Sequence, residues 1–180
     1  GHAAASHTLG TIYMAGVGVP KDPEAASSWF KLAAEQGDKK ATADLANLVL
    51  EGDAPREDGR VLMEFYKHAA EEGDLLAAFN FGVCLAQGVG VERDEEEALL
   101  WLHKAAEKVV NAQYWYGKML LQGRGVAQNP VEGRAWVQKA AEAGMAEAEI
   151  AYADLLVTGV GGPKNHPEAL RIYKQAAERG

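Results

Sequence analysis

The stretch Leu9-Gly10-Thr11-Ile12-Tyr13-Met14-Ala15-Gly16-Val17-Gly18-Val19 decides the fold, because the chain repeats it. The same order of apolar, small and turn residues returns at residues 81–91 and again at 116–126. The copies follow a fixed period of about 36 residues, which is typical of stacked repeat units rather than of one globular core. Chains of this kind usually present a binding surface, and we therefore look for function on a surface first.

Aligning the whole chain on this period yields five copies. They occupy about residues 1–36, 37–72, 73–108, 109–143 and 144–180. The bulky residue of each copy is Trp29, Phe65, Trp101, Trp136 or Ile172, and the turn glycine is Gly16, Gly52, Gly88, Gly123 or Gly159. The junction between copies three and four is one residue shorter than the others. We predict one repeat domain over residues 1–180.

Each copy has the hydrophobic pattern of two helices. In the first helix, Ala5, Leu9 and Tyr13 share one face. The position of Gly10 stays small in every copy, which predicts a close crossing with another helix because glycine lowers helix propensity. The second helix carries an amphipathic stripe, formed in copy one by Ala26, Trp29, Phe30, Ala33 and Ala34.

The helix boundaries have recognisable capping residues. Asp22-Pro23 combines an N-cap carboxylate with proline at the first helical position. The corresponding caps are Asp58, Asp94, Asn129 and Asn165, and the glycines suited to left-handed C-caps are Gly37, Gly73, Gly144 and Gly180. The Gly-x-Gly sequences between the helices permit a positive φ where the chain reverses. The prediction is an all-α chain of about ten helices.

Taken together, the pattern Ala-x3-Leu-Gly-x2-Tyr-x2-Gly-x-Gly-Val-x2-Asp-x3-Ala-x2-Trp-x3-Ala-Ala-x2-Gly resembles the Sel1-like repeat, a relative of the tetratricopeptide repeat. The resemblance covers essentially residues 1–180 and implies an α/α superhelical solenoid whose first helices line the concave face. Copies one and three fit best. Copy two lacks the second loop glycine, copy four has Gly133 in place of an alanine, and copy five has Gly161-Gly162-Pro163 in its loop.

Composition narrows the classes of partner. The formal net charge is −8 and the pI is about 5.1, which disfavours a nucleic-acid surface or binding to anionic membranes. No apolar run approaches the roughly 18 residues that span a bilayer, so we expect no membrane insertion. The sequence begins and ends at repeat junctions and contains no targeting segment, and we expect a fragment of a longer array. Bacterial periplasm and cytoplasm both remain open as its location.

The sequence predicts no catalytic, cofactor or metal site. The Gly-x-Gly loops recur at the same place in four of the five copies and lack the strand and the Lys-Ser/Thr of a phosphate-binding loop. None of the five histidines forms an i, i+4 pair, and no nucleophile motif is present. Cys84 falls where Ile12 and Leu48 stand in other copies, which predicts a buried thiol. The acidic run Glu92–Glu97 falls at the start of a second helix, where it complements the helix dipole.

The variable positions on the first helices, opposite their apolar stripe, are the candidate partner-binding surface. Copies three and four place aromatic residues there beside polar ones, which is the composition of an interaction hot spot. The candidate residues are Phe79, Asn80, Val83, Tyr114, Trp115 and Lys118, with Asn47 and Asp154 from copies two and five. The alternative is that these rings pack against the adjacent repeat, most of all at the shortened junction.

The sequence is compatible with three functions. The resemblance favours a non-enzymatic scaffold or adaptor that binds a protein or peptide segment on the concave face. An immunity or inhibitor protein is the alternative, since an acidic surface could cover the basic site of a bacterial effector. A hydrolase or binder of β-lactams or cell-wall fragments is the third, although the cysteine pairs of such relatives are absent. The faces at the two ends could also associate with another copy.

Overall fold

The computed structural model describes residues 2–55 and 58–179. Within these ranges the regular structure is ten α-helices and no strand, which confirms the all-α prediction. The helices are α1 (Ala3–Ala15), α2 (Pro23–Glu35), α3 (Lys39–Glu51), α4 (Gly59–Glu71), α5 (Leu75–Gln87), α6 (Glu95–Ala106), α7 (Val110–Gln122), α8 (Pro130–Glu142), α9 (Ala146–Thr158) and α10 (His166–Arg179). Each predicted copy therefore contributes one helix pair.

The predicted side-chain caps start four of the second helices. The Asp22 carboxylate accepts from the Ala25 amide at 2.9 Å, and the Asp94 carboxylate accepts from the Glu97 amide at the same distance. Asn129 and Asn165 cap α8 and α10 in the same way. Asp58, before α4, accepts hydrogen bonds from Ser27 and Lys31, described below. Asp38 caps the first helix α3, a use of this residue that the sequence did not reveal.

Glycine allows the left-handed turns at the helix ends. Gly37, Gly73 and Gly144 follow the second helices with φ between 86° and 100°, as predicted for C-cap glycines. Gly180 lies outside the described residues. Gly16 and Gly123 have a positive φ directly after α1 and α7.

The two helices of a copy cross closely at the position that stays small in every copy. A Cβ added to Gly10 would lie 2.5 Å from the Phe30 ring, and one added to Gly117 would lie 2.9 Å from the Gly133 carbonyl oxygen. These distances are shorter than van der Waals contact, so only glycine fits. The close packing offsets the helix propensity that glycine loses.

The chain divides into two compact units. Unit 1 consists of Gly1–His68 with Gln87–Arg93, and unit 2 of Ala69–Ala86 with Asp94–Gly180. In unit 1, α1 packs on α2 and α2 packs on α3, around side chains such as Phe30, Leu45 and Leu62. In unit 2, consecutive helices pack from α6 to α10, and Leu102, Met119 and Val137 are fully buried.

A buried carboxylate joins two helices inside unit 1. Asp58 is 7% exposed and accepts from the Ser27 hydroxyl and the Lys31 ammonium, both at 2.8 Å. The hydrogen bond to Asp58 raises the pKa of Lys31. A buried carboxylate is tolerated because both of its oxygens have donors. Asp58 therefore ties the start of α4 to α2, a role that its sequence position did not predict.

The second glycine of the Gly-x-Gly loops also makes contact between consecutive copies. Cβ atoms added to Gly125 and Gly161 in unit 2 would lie 2.1 Å from the carbonyl oxygens of Glu95 and Pro130, at the starts of α6 and α8. In unit 1, Gly90 lies equally close to Gly59 at the start of α4. The turn that the sequence predicts is present, and the same glycine allows the loop to lie against the preceding helix pair.

Two arginines hold these loops in unit 2. Arg124 donates from Nε to the Glu95 carboxylate at 2.7 Å and from Nη2 to the Ala86 carbonyl at 3.2 Å. Arg134, which is 9% exposed, donates to the carbonyl oxygens of Val160 and Pro163. The acidic helix start is thus only partly solvated, because Glu95 pairs with Arg124.

Candidate functional site

The predicted site residues on α7 form one cluster. We call Tyr114, Trp115 and Lys118 the α7 cluster. The Lys118 Nζ lies 5.2 Å from the centroid of the Tyr114 ring and 6.0 Å from that of Trp115. Both rings are half-buried and Lys118 is exposed. Since an ammonium is attracted to an aromatic face at this range, the cation and the two rings hold one another in place.

One side of the α7 cluster belongs to the core between consecutive helix pairs. The Tyr114 ring packs against Ala140, Ala141 and Ala148, which are buried on α8 and α9. Burial, and then the carboxylates of Glu147 and Asp154, raise the pKa of Tyr114. The alternative prediction, that these rings pack against the adjacent repeat, is therefore correct for one side of Tyr114. The cluster as a whole stays accessible to solvent.

Asp154 extends the cluster onto α9. Its side chain is exposed, and its Oδ1 accepts a hydrogen bond from the Tyr173 hydroxyl of α10. Because the Asp154 charge contributes to the raised pKa of Tyr114, the two side chains are electrostatic neighbours. Unit 2 thus presents aromatic, cationic and anionic groups on two successive first helices.

The candidate residues on α5 behave differently. Phe79 and Asn80 are half-buried, and no hydrogen bond or ring contact joins them to the α7 cluster in the described part of the chain. The prediction that Val83 faces solvent is wrong, since it is 8% exposed. The physical reason is that α5 is apolar on nearly all sides and residues 81–86 are all buried.

Asn47, the remaining predicted residue, lies in unit 1 beside a cavity of about 350 Å³. We call it the α1/α3 cavity. It is lined by Thr11, Met14, Ala15, Phe30, Asp44, Asn47, Leu48 and Glu51. The His7 Nε2 and Asp44 Oδ2 atoms, 2.8 Å apart, link α1 to α3 next to it. Asn47 is the lining residue that was predicted for the outward first-helix face, and the sequence contained no signal for the cavity itself.

A second aromatic group in unit 2 has a structural role. The Tyr116 and Trp136 rings meet edge to face at 5.5 Å, and the His103 ring lies 4.8 Å from Tyr116. Glu132 accepts from the Tyr116 hydroxyl and the Trp136 indole at 3.4 Å. Such edge-to-face pairs stabilise packing beyond the area that they bury. These residues join α6, α7 and α8.

The remaining side chains to describe are those that could act as a nucleophile or bind a metal ion. Cys84 is 4% exposed, as predicted, and burial raises its pKa to about 12, so that the thiol stays protonated near neutral pH. Residues 2–55 and 58–179 contain no group of three histidine, cysteine or acidic side chains that could hold a metal ion. No helix among them is both long and apolar enough to cross a membrane.

Comparison with known protein families assigns the repeat. The sequence model of the Sel1 repeat matches residues 3–38, 75–109, 110–145 and 146–180. The chain belongs to the Sel1 repeat family. The Sel1 model leaves the second copy unmatched, which is the copy whose loop reads Gly52-Asp53-Ala54-Pro55. Sel1 repeat proteins generally mediate protein–protein interaction, and their helical scaffold is generally non-catalytic.

Solved structures agree with the Sel1 assignment. A Sel1 repeat protein from Oxalobacter formigenes is 31% identical with a TM-score of 0.73, and the match covers 99% of this chain and 72% of that one. A protective antigen of uropathogenic Escherichia coli strains, which displays an SLR fold, is 30% identical with a TM-score of 0.68. The chain covers 38% of that antigen. A search of curated proteins found no significant match.

Proposed function

We propose that this Sel1 repeat protein is a non-catalytic interaction module that binds a protein or peptide segment on the outward, concave face of its first helices. The α7 cluster would be the centre of that surface. The observation that carries the proposal is the grouping of Tyr114, Trp115 and Lys118 in one half-exposed patch. Aromatic residues combined with a cation are enriched at the energetic centres of interfaces.

The packing of Tyr114 supports this role. Side chains that are free in solution lose conformational entropy when a partner immobilises them, at about 0.5–1.5 kcal/mol each. Tyr114 is already held by the alanines of α8 and α9, and Lys118 already lies over its ring. A partner would therefore meet a patch that is already partly ordered.

The charges around the α7 cluster favour a partner segment that carries both polar and apolar residues. Lys118 offers a donor to a carboxylate or a carbonyl group, and the exposed Asp154 offers an acceptor on the next first helix. A peptide that lies across α7 and α9 would bury an apolar residue on Trp115 between these two polar contacts. This arrangement corresponds to the recognition of an extended or helical segment by side-chain anchors.

A peptide library tests the proposal without knowledge of the natural partner. Random 12-residue peptides displayed on phage are selected on the chain, and the enriched peptides are synthesised for calorimetric titration. We expect W115A and K118A to weaken binding by roughly tenfold or more, as for hot-spot residues. The control is L100A, because Leu100 is 70% exposed on the second helix α6 of the same unit.

Two results would overturn the proposal. One is an equal loss of affinity in L100A and W115A, which would show that binding follows general apolar exposure. The other is full affinity in W115A and K118A, which would place the binding surface elsewhere. Sedimentation velocity on the same samples separates peptide binding from self-association of the chain.

A further inference from the structure

The α1/α3 cavity in unit 1 has the size of a site for one side chain. Its volume of about 350 Å³ is near the lower end of the range for small-molecule pockets. The half-buried Met14 and the exposed Ala15 supply accessible apolar surface, and Phe30 and Leu48, which also line the cavity, are only 3% and 2% exposed. A cavity of this size and lining suits a long side chain with an aliphatic stem.

Four lining residues are polar, and two of these are acidic. Asp44, Asn47 and Glu51 follow one another at spacings of three and four residues on α3, so that they share one face of the helix. Asn47 and Glu51 are exposed, and the Asp44 side chain is 44% exposed. The described residues that line the cavity include no lysine or arginine. The cavity therefore combines an apolar wall with an anionic side.

The neighbouring histidine orients one of the two carboxylates. His7 lies 2.8 Å from Oδ2 of Asp44, and its ring centroid is 5.6 Å from that of Phe30. With Oδ2 engaged, Asp44 presents Oδ1 as its second acceptor. A cationic side chain in the cavity could reach this oxygen while its methylene groups pack on Met14 and Ala15.

We propose that the α1/α3 cavity binds an arginine side chain of a partner polypeptide. Arginine satisfies both parts of the cavity, because its weakly hydrated guanidinium donates to carboxylates and amides while its stem packs on apolar surface. The inference rests on the proposed function, since it assigns a contact to a partner polypeptide. It specifies the chemistry of that contact as a basic residue, which also complements the net charge of −8.

The four methionines provide the measurement, because Met14 alone of them lines the cavity. The chain is labelled with ¹³C at the methionine methyl groups and titrated with the peptide acetyl-Gly-Ala-Arg-Ala-Gly-amide. We expect a saturable shift of the Met14 resonance, with Met63, Met119 and Met145 unchanged. The peptide with citrulline in place of arginine has nearly the same shape without the charge, and we expect no saturable shift.

Variants of Asp44 and Glu51 test whether these carboxylates bind the arginine of the peptide. D44N and E51Q should each weaken arginine-peptide binding by roughly tenfold, since each removes one charge-assisted hydrogen bond. E51Q leaves the His7–Asp44 contact in place and so controls for rearrangement in D44N. The matched control is E96Q, which removes one exposed carboxylate from α6 in unit 2. A saturable shift with citrulline, an equal loss in E96Q, or a Met14 resonance that does not move would overturn the inference.

These experiments distinguish an error in the α7 cluster from an error in the α1/α3 cavity. W115A in unit 2 should leave the Met14 titration unchanged while it weakens binding of the library peptides. If library peptides bind W115A with full affinity but the Met14 titration behaves as expected, the α7 cluster is wrong and the cavity stands. If the Met14 titration fails while W115A weakens library binding, the cavity is wrong and the α7 cluster stands.

Discussion

Gly125 lies so close to Glu95 that a Cβ on this glycine would come within 2.1 Å of the Glu95 carbonyl oxygen. Gly125 belongs to the loop after α7, and Glu95 is the first residue of α6. Arg124 strengthens the same contact through its hydrogen bond to the Glu95 carboxylate. The register between consecutive helix pairs in unit 2 therefore depends on a loop glycine as well as on the apolar faces of the helices.

Replacing Gly125 by alanine should destabilise the protein far more than replacing Gly18. Both residues have a positive φ, of 69° and 75°, so both variants strain the backbone by about 1 kcal/mol. Only Gly125 adds a steric overlap, for a total of about 3 kcal/mol or more. A Cβ on Gly18 would meet no described atom within 4 Å. Urea unfolding of both variants measures the difference, and equal losses would show that the contact has no energetic role.

Removing the Asp58 carboxylate should destabilise unit 1 more than removing a surface cap. D58A leaves the buried Ser27 hydroxyl without its acceptor and separates Lys31 from its partner, at about 3 kcal/mol. D94A removes the exposed carboxylate at the corresponding position of α6, which costs about 1 kcal/mol as an N-cap. Chemical denaturation with hydrogen exchange of the α2 and α4 amides checks the prediction. Similar losses in both variants would mean that Asp58 acts only as a cap.

The buried thiol of Cys84 should make stability fall at alkaline pH. Burial raises its folded-state pKa to about 12, above the ordinary value of 9.0. Between these values the unfolded chain loses the proton while the folded chain keeps it. The free energy of unfolding therefore falls as pH rises, by up to about 1.4 kcal/mol per pH unit for this group.

The variant C84V isolates this effect from other groups that titrate near pH 10. Urea unfolding of the wild type and of C84V is compared at intervals from pH 8 to pH 10.5. We expect the wild type to lose stability relative to C84V as pH increases. Parallel curves would show that the folded and unfolded thiols share one pKa.

The helical fold could be predicted because each local signal appears in several copies. The spacing of Leu9 and Tyr13, the bulky Trp29 and the cap Asp22 recur with one period, so that a helix pair was identified five times over. The close crossing at Gly10 could be predicted for the same reason, since a position that stays small in every copy indicates a neighbouring helix.

The contacts between copies could not be predicted in the same way. The sequence shows that Gly125 permits a turn, but its approach to Glu95 depends on how two helix pairs meet. The partners of Asp58 come from another helix pair, and nothing in the local pattern distinguishes it from Asp94. Val83 occupies a position that is outward in other copies and is buried here, because its own helix is apolar on nearly all sides.

The candidate site was predictable in composition and only partly in geometry. Tyr114, Trp115 and Lys118 were identified as outward residues, and they do form a cluster. The packing of Tyr114 on the alanines of α8 and α9 required the positions of three helices. The α1/α3 cavity had no signal of its own, because Asp44 and Glu51 are ordinary helix-surface residues and the cavity depends on the position of α1 beside α3.

The most direct test of peptide binding at the α7 cluster is the position of a bound peptide relative to the four tryptophans. Trp29, Trp101 and Trp136 lie on second helices, and Trp115 alone reports on the first-helix face. The chain is labelled with 5-fluorotryptophan, its ¹⁹F resonances are assigned by single Trp→Phe variants, and a library-selected peptide is added. Binding on the first helices of unit 2 should give a saturable shift of the Trp115 resonance with the other three unchanged. An unchanged Trp115 resonance together with a shift at Trp29, Trp101 or Trp136 would contradict it.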